Sequence, residues 1–100
     1  MEIKSEKIGF SFTVPDKITI RQQMRYKGST MGVLDKDDKY VILWHAAQPL
    51  IETWESALVP DYKTIDLDQL YDPAIANLVM EVGSAVWLHI QRLGDVTKNS

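Results

Sequence analysis

The sequence predicts a mainly α-helical fold, a small helical bundle of three to four helices preceded by a short N-terminal β-strand or hairpin. Apolar residues recur every three or four positions through most of the second half of the chain, whereas strict alternation is confined to a short stretch near the N-terminus. The 100 residues, 45% of them hydrophobic and 25% charged, suffice for one core. We therefore expect a single domain over residues 1–100.

A β arm is predicted over residues 1–15. Apolar side chains alternate with small or polar ones from residue 8 to residue 14, which indicates a strand with one buried face that ends at Pro15. A lone strand leaves its backbone groups unpaired, so it pairs either within the chain, with residues 1–3 or 31–34, or with another subunit by strand addition. The apolar residues of this strand are Ile8, Phe10, Phe12 and Val14.

A short helix is predicted over residues 19–27. Thr19 and Gln22 have the spacing of a capping box, in which each side chain satisfies a backbone N–H group of the other residue. Gly28 is the expected end. Arg21 and Arg25, four residues apart, share one face of this helix and form a basic surface.

A long kinked helix is predicted over residues 39–58, because apolar residues keep helical spacing there. Pro49 lacks a backbone donor and clashes with the preceding turn, so a kink or break is expected near residues 46–48. The apolar positions are Tyr40, Trp44, Ala47, Ile51, Trp54 and Leu58.

The last third of the chain predicts a helical turn at 66–71, a helix at 73–93 and a flexible polar tail at 95–100. Asp72 and Pro73 suit the N-cap and first position of the helix, and an apolar stripe follows until Gly94. Trp87 falls off that stripe and would form a second apolar face with Ala76 and Gly83. Such a helix is either central in a bundle or shared with another subunit.

No residue pattern indicates catalysis. The chain has no cysteine, and its two histidines, His45 and His89, lack the close spacing of metal ligands. Nucleophile-elbow, Walker A and dinucleotide-binding patterns do not occur. We therefore expect no enzyme, no cofactor and no bound metal.

The charge distribution is uneven. Residues 1–27 carry six basic and three acidic side chains, and residues 28–100 carry five basic and eleven acidic ones. This asymmetry either steers copies into head-to-tail association or holds one segment against the other within the fold. The acidic balance, with a pI near 5.2, argues against nucleic acid, and we expect no membrane span.

Two segments resemble small tail-assembly proteins of tailed bacteriophages. The first is FTVPDKITIRQQMRY at 12–26, and the second is DPAIANLVMEVGSAVWLHIQRLGDVTKN at 72–99. The resemblance implies a tail assembly chaperone or minor tail component, cytoplasmic in the bacterial host, that binds a tape-measure or tail subunit or itself as a possible homo-oligomer. The alternative is a small phage inhibitor that blocks a host enzyme or defence complex stoichiometrically. The predicted protein-binding residues are Ile8, Phe10, Phe12, Val14, Arg21, Arg25 and Trp87.

Overall fold

The fold contains a three-stranded antiparallel sheet. The computed structural model describes residues 1–99, and of residues 94–99 only the backbone. The strands are β1 (Glu2–Ser5), β2 (Phe10–Thr13) and β3 (Thr53–Glu55). Gly9, at φ +89°, closes the β1–β2 hairpin by donating its N–H to the Ser5 carbonyl at 2.8 Å.

The predicted helical bundle is wrong, because the chain is a mixed α/β globule. Helix α2 covers only Lys39–Ala47, and a 3-10 helix at Gln48–Leu50, with Pro49 in its first turn, follows it. The break near residues 46–48 is therefore where Pro49 predicted it. Beyond the break the backbone is extended, and β3 pairs with β2 instead of continuing the predicted helix.

Strand β2 lies at the centre of the sheet, with a partner on each side. Ile3 pairs with Phe12 on one side, which confirms residues 1–3 as an internal partner. Trp54 pairs with Phe12 on the other side. Residues 31–34, the other partner predicted within the chain, are not part of the sheet. The sheet's pairing is therefore internal.

Helix α1 (Ile20–Thr30) begins as predicted and ends later than predicted. Gln22 donates its N–H to Thr19 Oγ1 at 3.1 Å, and Thr19 donates its N–H to Gln22 Oε1 at 2.8 Å, so the capping box is confirmed. The helix continues through Gly28, and the Thr30 hydroxyl donates to the Tyr26 carbonyl at 2.8 Å. A 3-10 helix at Val33–Asp35 follows.

Helix α3 (Pro73–Asn99) begins where the sequence predicted, and Asp72 Oδ1 accepts the N–H of Ala74 at 2.9 Å. Its backbone runs through Gly94, so the predicted tail is helical over residues 95–99, and Ser100 lies outside the described residues. The segment predicted as a helical turn at 66–71 contains one turn, closed by the bond from Gln69 N–H to the Asp66 carbonyl at 3.1 Å. A 3-10 helix at Tyr62–Thr64 precedes it.

The core lies between the sheet and the crossing of α2 with α3. A Cβ atom at Gly83 would lie 3.1 Å from the Cβ of Leu43 and 3.3 Å from the backbone nitrogen of Trp44, so glycine permits the close approach. The radius of gyration, 13.5 Å, is that of a compact domain of this length. The largest fully buried side chains are Trp44, Phe12, Leu78, Val14, Val33, Val82 and Val86.

Helix α3 is also long and apolar enough to cross a membrane over Pro73–Leu93, by length and composition alone. That window has a mean hydropathy of 1.3, and 39% of it is buried inside the structure. This is weak evidence for a membrane span, because the core helix of a soluble protein passes the same test.

Candidate protein-binding surface

The outer surface of α1 combines apolar and basic side chains. Ile20 is 75% exposed, Met24 68% and Met31, directly after the helix, 76%, and their spacing places them along one stripe. The helix carries no acidic residue. We call this surface the α1 face, which consists of Ile20, Arg21, Met24, Arg25, Lys27 and Met31.

Large apolar side chains are rarely left together at the surface without a reason. One exposed leucine or methionine needs no explanation, but neighbouring ones that form a patch are typical of a contact surface. Methionine suits such a surface because its flexible thioether adapts to the shape of a partner. Further along the chain, Leu34 is exposed, and so are Tyr40 and Val41 at the start of α2.

A groove of about 490 Å³ separates α1 from α2 and adjoins the α1 face at Arg25. Its size falls within the range of about 300 to 1,000 Å³ that is usual for binding pockets. On a helical wheel Arg25 lies between Met24 and the groove-lining Ser29, so the α1 face and the groove are continuous. The apolar lining comes from α2 and the 3-10 helix, namely Val41, Ile42, Ala46, Pro49 and Leu50.

The polar side chains of the groove are neutral or basic. Gln22, Arg25 and Ser29 come from α1, and His45 comes from α2. Among the described residues, no carboxylate side chain lines the groove. The arrangement therefore favours an apolar group that is flanked by acidic or hydrogen-bond-accepting groups.

Tyr26 lines the back of the groove, and its side chain is buried. Its hydroxyl finds no hydrogen-bond partner among the described residues. Burial raises the pKa of the Tyr26 phenol well above its ordinary value of 10.0. Its ring packs against the indole of Trp87, with ring centroids 6.4 Å apart. The hydroxyl is thus held neutral at the back of the site.

The binding role predicted for the N-terminal strand does not fit the structure. Phe12 and Val14 are each 1% exposed, and Phe10 is also buried in the core. Ile8 is half-buried and packs against that core. These side chains stabilise the fold, and in this fold they are not available to a partner.

Trp87 is half-buried against Tyr26 and the core, and the neighbouring Gly83 is covered by α2. The second apolar face predicted on the last helix is therefore occupied largely by the chain's own residues. Of the predicted binding residues, Arg21 and Arg25 have exposed side chains. Ile20 and Met24, which are also exposed, were not among the predicted binding residues.

The two histidines have different environments. His89 is buried and its Nε2–H donates to the Pro15 carbonyl at 2.9 Å, which joins α3 to the end of the β arm. His89 therefore has a structural role in this fold. His45 is exposed and lines the groove. Among the described residues no group of three or more histidine, cysteine, aspartate or glutamate side chains could hold a metal ion.

A second surface, which we call the acidic segment, consists of residues 61–72. It contains four aspartates and one lysine, and the side chain of Tyr71 is 89% exposed. One carboxylate oxygen of Asp61, Asp66 and Asp72 accepts a backbone N–H group within its own turn, at 3.0, 3.0 and 2.9 Å. These bonds fix the local backbone while the aspartates stay exposed.

The chain matches no family model, no curated protein and no solved structure. What the fold and surface define is a small mixed α/β domain with a basic, methionine-containing helix face beside an apolar groove. Its function is therefore inferred from that surface.

Proposed function

We propose that this chain is a non-enzymatic binding protein that holds a protein partner on the α1 face and in the adjoining groove. The observation that carries the proposal is the exposure of Ile20 and Met24 on α1, and of Met31 directly after it, beside Arg21 and Arg25. The helix itself carries no acidic residue. Burial of the apolar stripe would supply affinity, and the arginines would select an acidic partner surface.

The groove adds a concave apolar element to the convex helix face. Interfaces gain most of their energy from a few anchor side chains that fill such pockets, while surrounding contacts exclude water. A partner that inserts an aromatic or aliphatic side chain between Ile42 and Leu50, and places carboxylates near Arg25, would satisfy both elements.

The particular function we propose is phage tail assembly in the cytoplasm of a bacterial host. The resemblance of residues 12–26 and 72–99 to tail-assembly proteins supports it, and the first of these segments contains most of α1. In that role the α1 face would bind a tape-measure subunit, a tail subunit or a second copy of the chain until the tail is assembled. The predicted contact through Phe10, Phe12 and Val14 is not part of this proposal, because those side chains are buried.

Site-specific cross-linking tests the proposal. The chain lacks cysteine, so Met24→Cys creates one reactive thiol on the α1 face, and Lys7→Cys creates a matched one in the exposed hairpin turn. With a photoactivatable maleimide attached, we expect position 24 to cross-link a protein in host cells, and Arg21→Glu with Arg25→Glu to abolish that product. Equal cross-linking at both positions, or none at position 24, would contradict the proposal.

A further inference from the structure

We propose that the α1 face and groove bind the acidic segment of a second copy of this chain. The inference rests on the proposed function, since it names the occupant of the same site. Both surfaces of the contact belong to the chain and can be compared directly.

The two surfaces carry opposite charge. Helix α1 has three basic side chains and no acidic one, whereas the acidic segment has four aspartates against Lys63. Surfaces of opposite sign steer each other into contact and fix their relative orientation. The ion pairs among the described residues, Met1 with Asp16 and Lys4 with Glu6, do not join α1 to the acidic segment. Among the described residues, the basic side chains of α1 and the aspartates of the acidic segment therefore do not form ion pairs with each other.

Each surface also supplies an apolar half of the contact. Tyr71 is 89% exposed and lies within the acidic segment, between Asp68 and Asp72. Tyrosine is among the side chains most often found as an interface anchor. The groove has a volume of about 490 Å³ and a largely apolar lining, to which Arg25 adds a positive charge. Tyr71 entering the groove would place the flanking aspartates near Arg21 and Arg25.

The α1 face and groove share no residue with the acidic segment, so the contact joins two different patches. Such a contact either occurs twice in a reciprocal two-fold dimer or propagates head to tail into a ring or filament. In both cases, a copy with a disrupted α1 face still has an intact acidic segment. That segment can bind the α1 face of a copy whose own acidic segment is disrupted.

Sedimentation equilibrium from micromolar to millimolar protein tests the inference with two variants. The face variant carries Arg21→Glu and Arg25→Glu, and the segment variant carries Asp68→Lys and Tyr71→Ser, which spare the Asp72 cap of α3. The matched controls, Glu6→Lys and Lys7→Glu, reverse charges in the exposed hairpin turn. Circular dichroism and urea midpoints establish that every variant is folded.

The wild type and both controls should self-associate, more weakly as salt is raised. Each of the two variants alone should associate at least about tenfold more weakly. Their equimolar mixture should recover a one-to-one complex through the single intact pair of patches. A wild type that stays monomeric, a variant that associates like the wild type, or a mixture that stays monomeric would overturn the inference.

The outcomes separate this inference from the proposed function. A monomeric chain whose position 24 cross-links a different protein, dependent on Arg21 and Arg25, would overturn the second copy and leave the proposed function standing. A monomeric chain that instead cosediments with phosphatidylserine vesicles, dependent on the same arginines, would overturn both and assign the α1 face to a lipid surface.

Discussion

The indole Nε1–H of Trp54 donates to the backbone carbonyl of Val59 at 2.7 Å and thereby closes the loop that follows β3. The same ring lies 5.8 Å from that of Phe12 and 5.2 Å from that of Tyr62, measured between centroids. Trp54 thus joins the sheet to the loop leading to the acidic segment. These contacts, together with the pairing of β3 with β2, hold residues 53–55 in the sheet.

We expect Trp54→Phe to lower the free energy of unfolding by about 1 to 3 kcal/mol. The change removes the bond to Val59, leaves that carbonyl without this donor and reduces the packed volume. Urea denaturation measures the loss. Trp87→Phe is the matched control, because it makes the same change at a half-buried tryptophan. Equal losses in the two variants would refute the role given to the bond.

A pair of glycine substitutions tests the crossing of α2 and α3. Gly28→Ala should stabilise the protein by about 0.5 to 1 kcal/mol, because it lies in α1 and a Cβ there meets nothing within 4 Å. Gly83→Ala should be about 1 to 3 kcal/mol less stable than Gly28→Ala, because its Cβ meets Leu43 and the backbone of Trp44. Thermal and urea denaturation provide both values, and similar gains at the two positions would show that the crossing is not close.

The buried phenol of Tyr26 predicts loss of stability at alkaline pH. Its pKa is raised in the folded protein, so the neutral phenol's contribution is complete below the unfolded pKa of about 10 and is lost as pH rises above it. This one group would lower the free energy of unfolding by at most about 1.4 kcal/mol per pH unit. Urea midpoints at rising pH measure the decline.

Tyr26→Phe supplies the control for that pH dependence. The variant should decline less steeply than the wild type in alkali, while at neutral pH its stability should change little, because the hydroxyl has no partner among the described residues. A large loss of stability at neutral pH would instead indicate that the hydroxyl makes a strong hydrogen bond.

Phe12 is buried in the core, whereas Arg25 is exposed on the α1 face. Phe12→Ser should destabilise the protein by about 3 to 5 kcal/mol and reduce its circular dichroism, because a 1% exposed ring is replaced by a polar group. Arg25→Glu should change stability by no more than about 0.5 kcal/mol, because the side chain is exposed. If Phe12→Ser stays folded but no longer binds a partner, the strand would be the binding element after all.

The parts of the fold that local chemistry decides could be predicted from the sequence. Residues 8–14 alternate as a strand does, Thr19 and Gln22 cap α1, and Pro49 ends α2. The identity of β3 could not be predicted in the same way. Trp54 fits the helical spacing that begins at Tyr40, and it fits a strand equally well. Its pairing with Phe12, which is distant in the sequence, places it in a strand.

The candidate site was predictable only in part. The i, i+4 spacing of Arg21 and Arg25 indicated a basic helix face, and both side chains are exposed. The exposure of Met24 and the groove beside it depend on how α1 packs against α2, which the sequence of α1 alone does not specify. Phe10 and Phe12 were predicted to bind a partner, but both are buried in the core. An apolar strand face has the same sequence pattern whether the protein's own core or a partner covers it.

Amide chemical shifts recorded across a concentration series of the wild-type protein test most directly that α1, and not the β arm, is the binding surface. We predict that shifts concentrate in residues 20–31, in the groove and in residues 61–72, while the amides of β1 and β2 remain constant. Shifts concentrated along the outer edge of β1, with the amides of α1 unchanged, would show instead that the β arm is the binding surface.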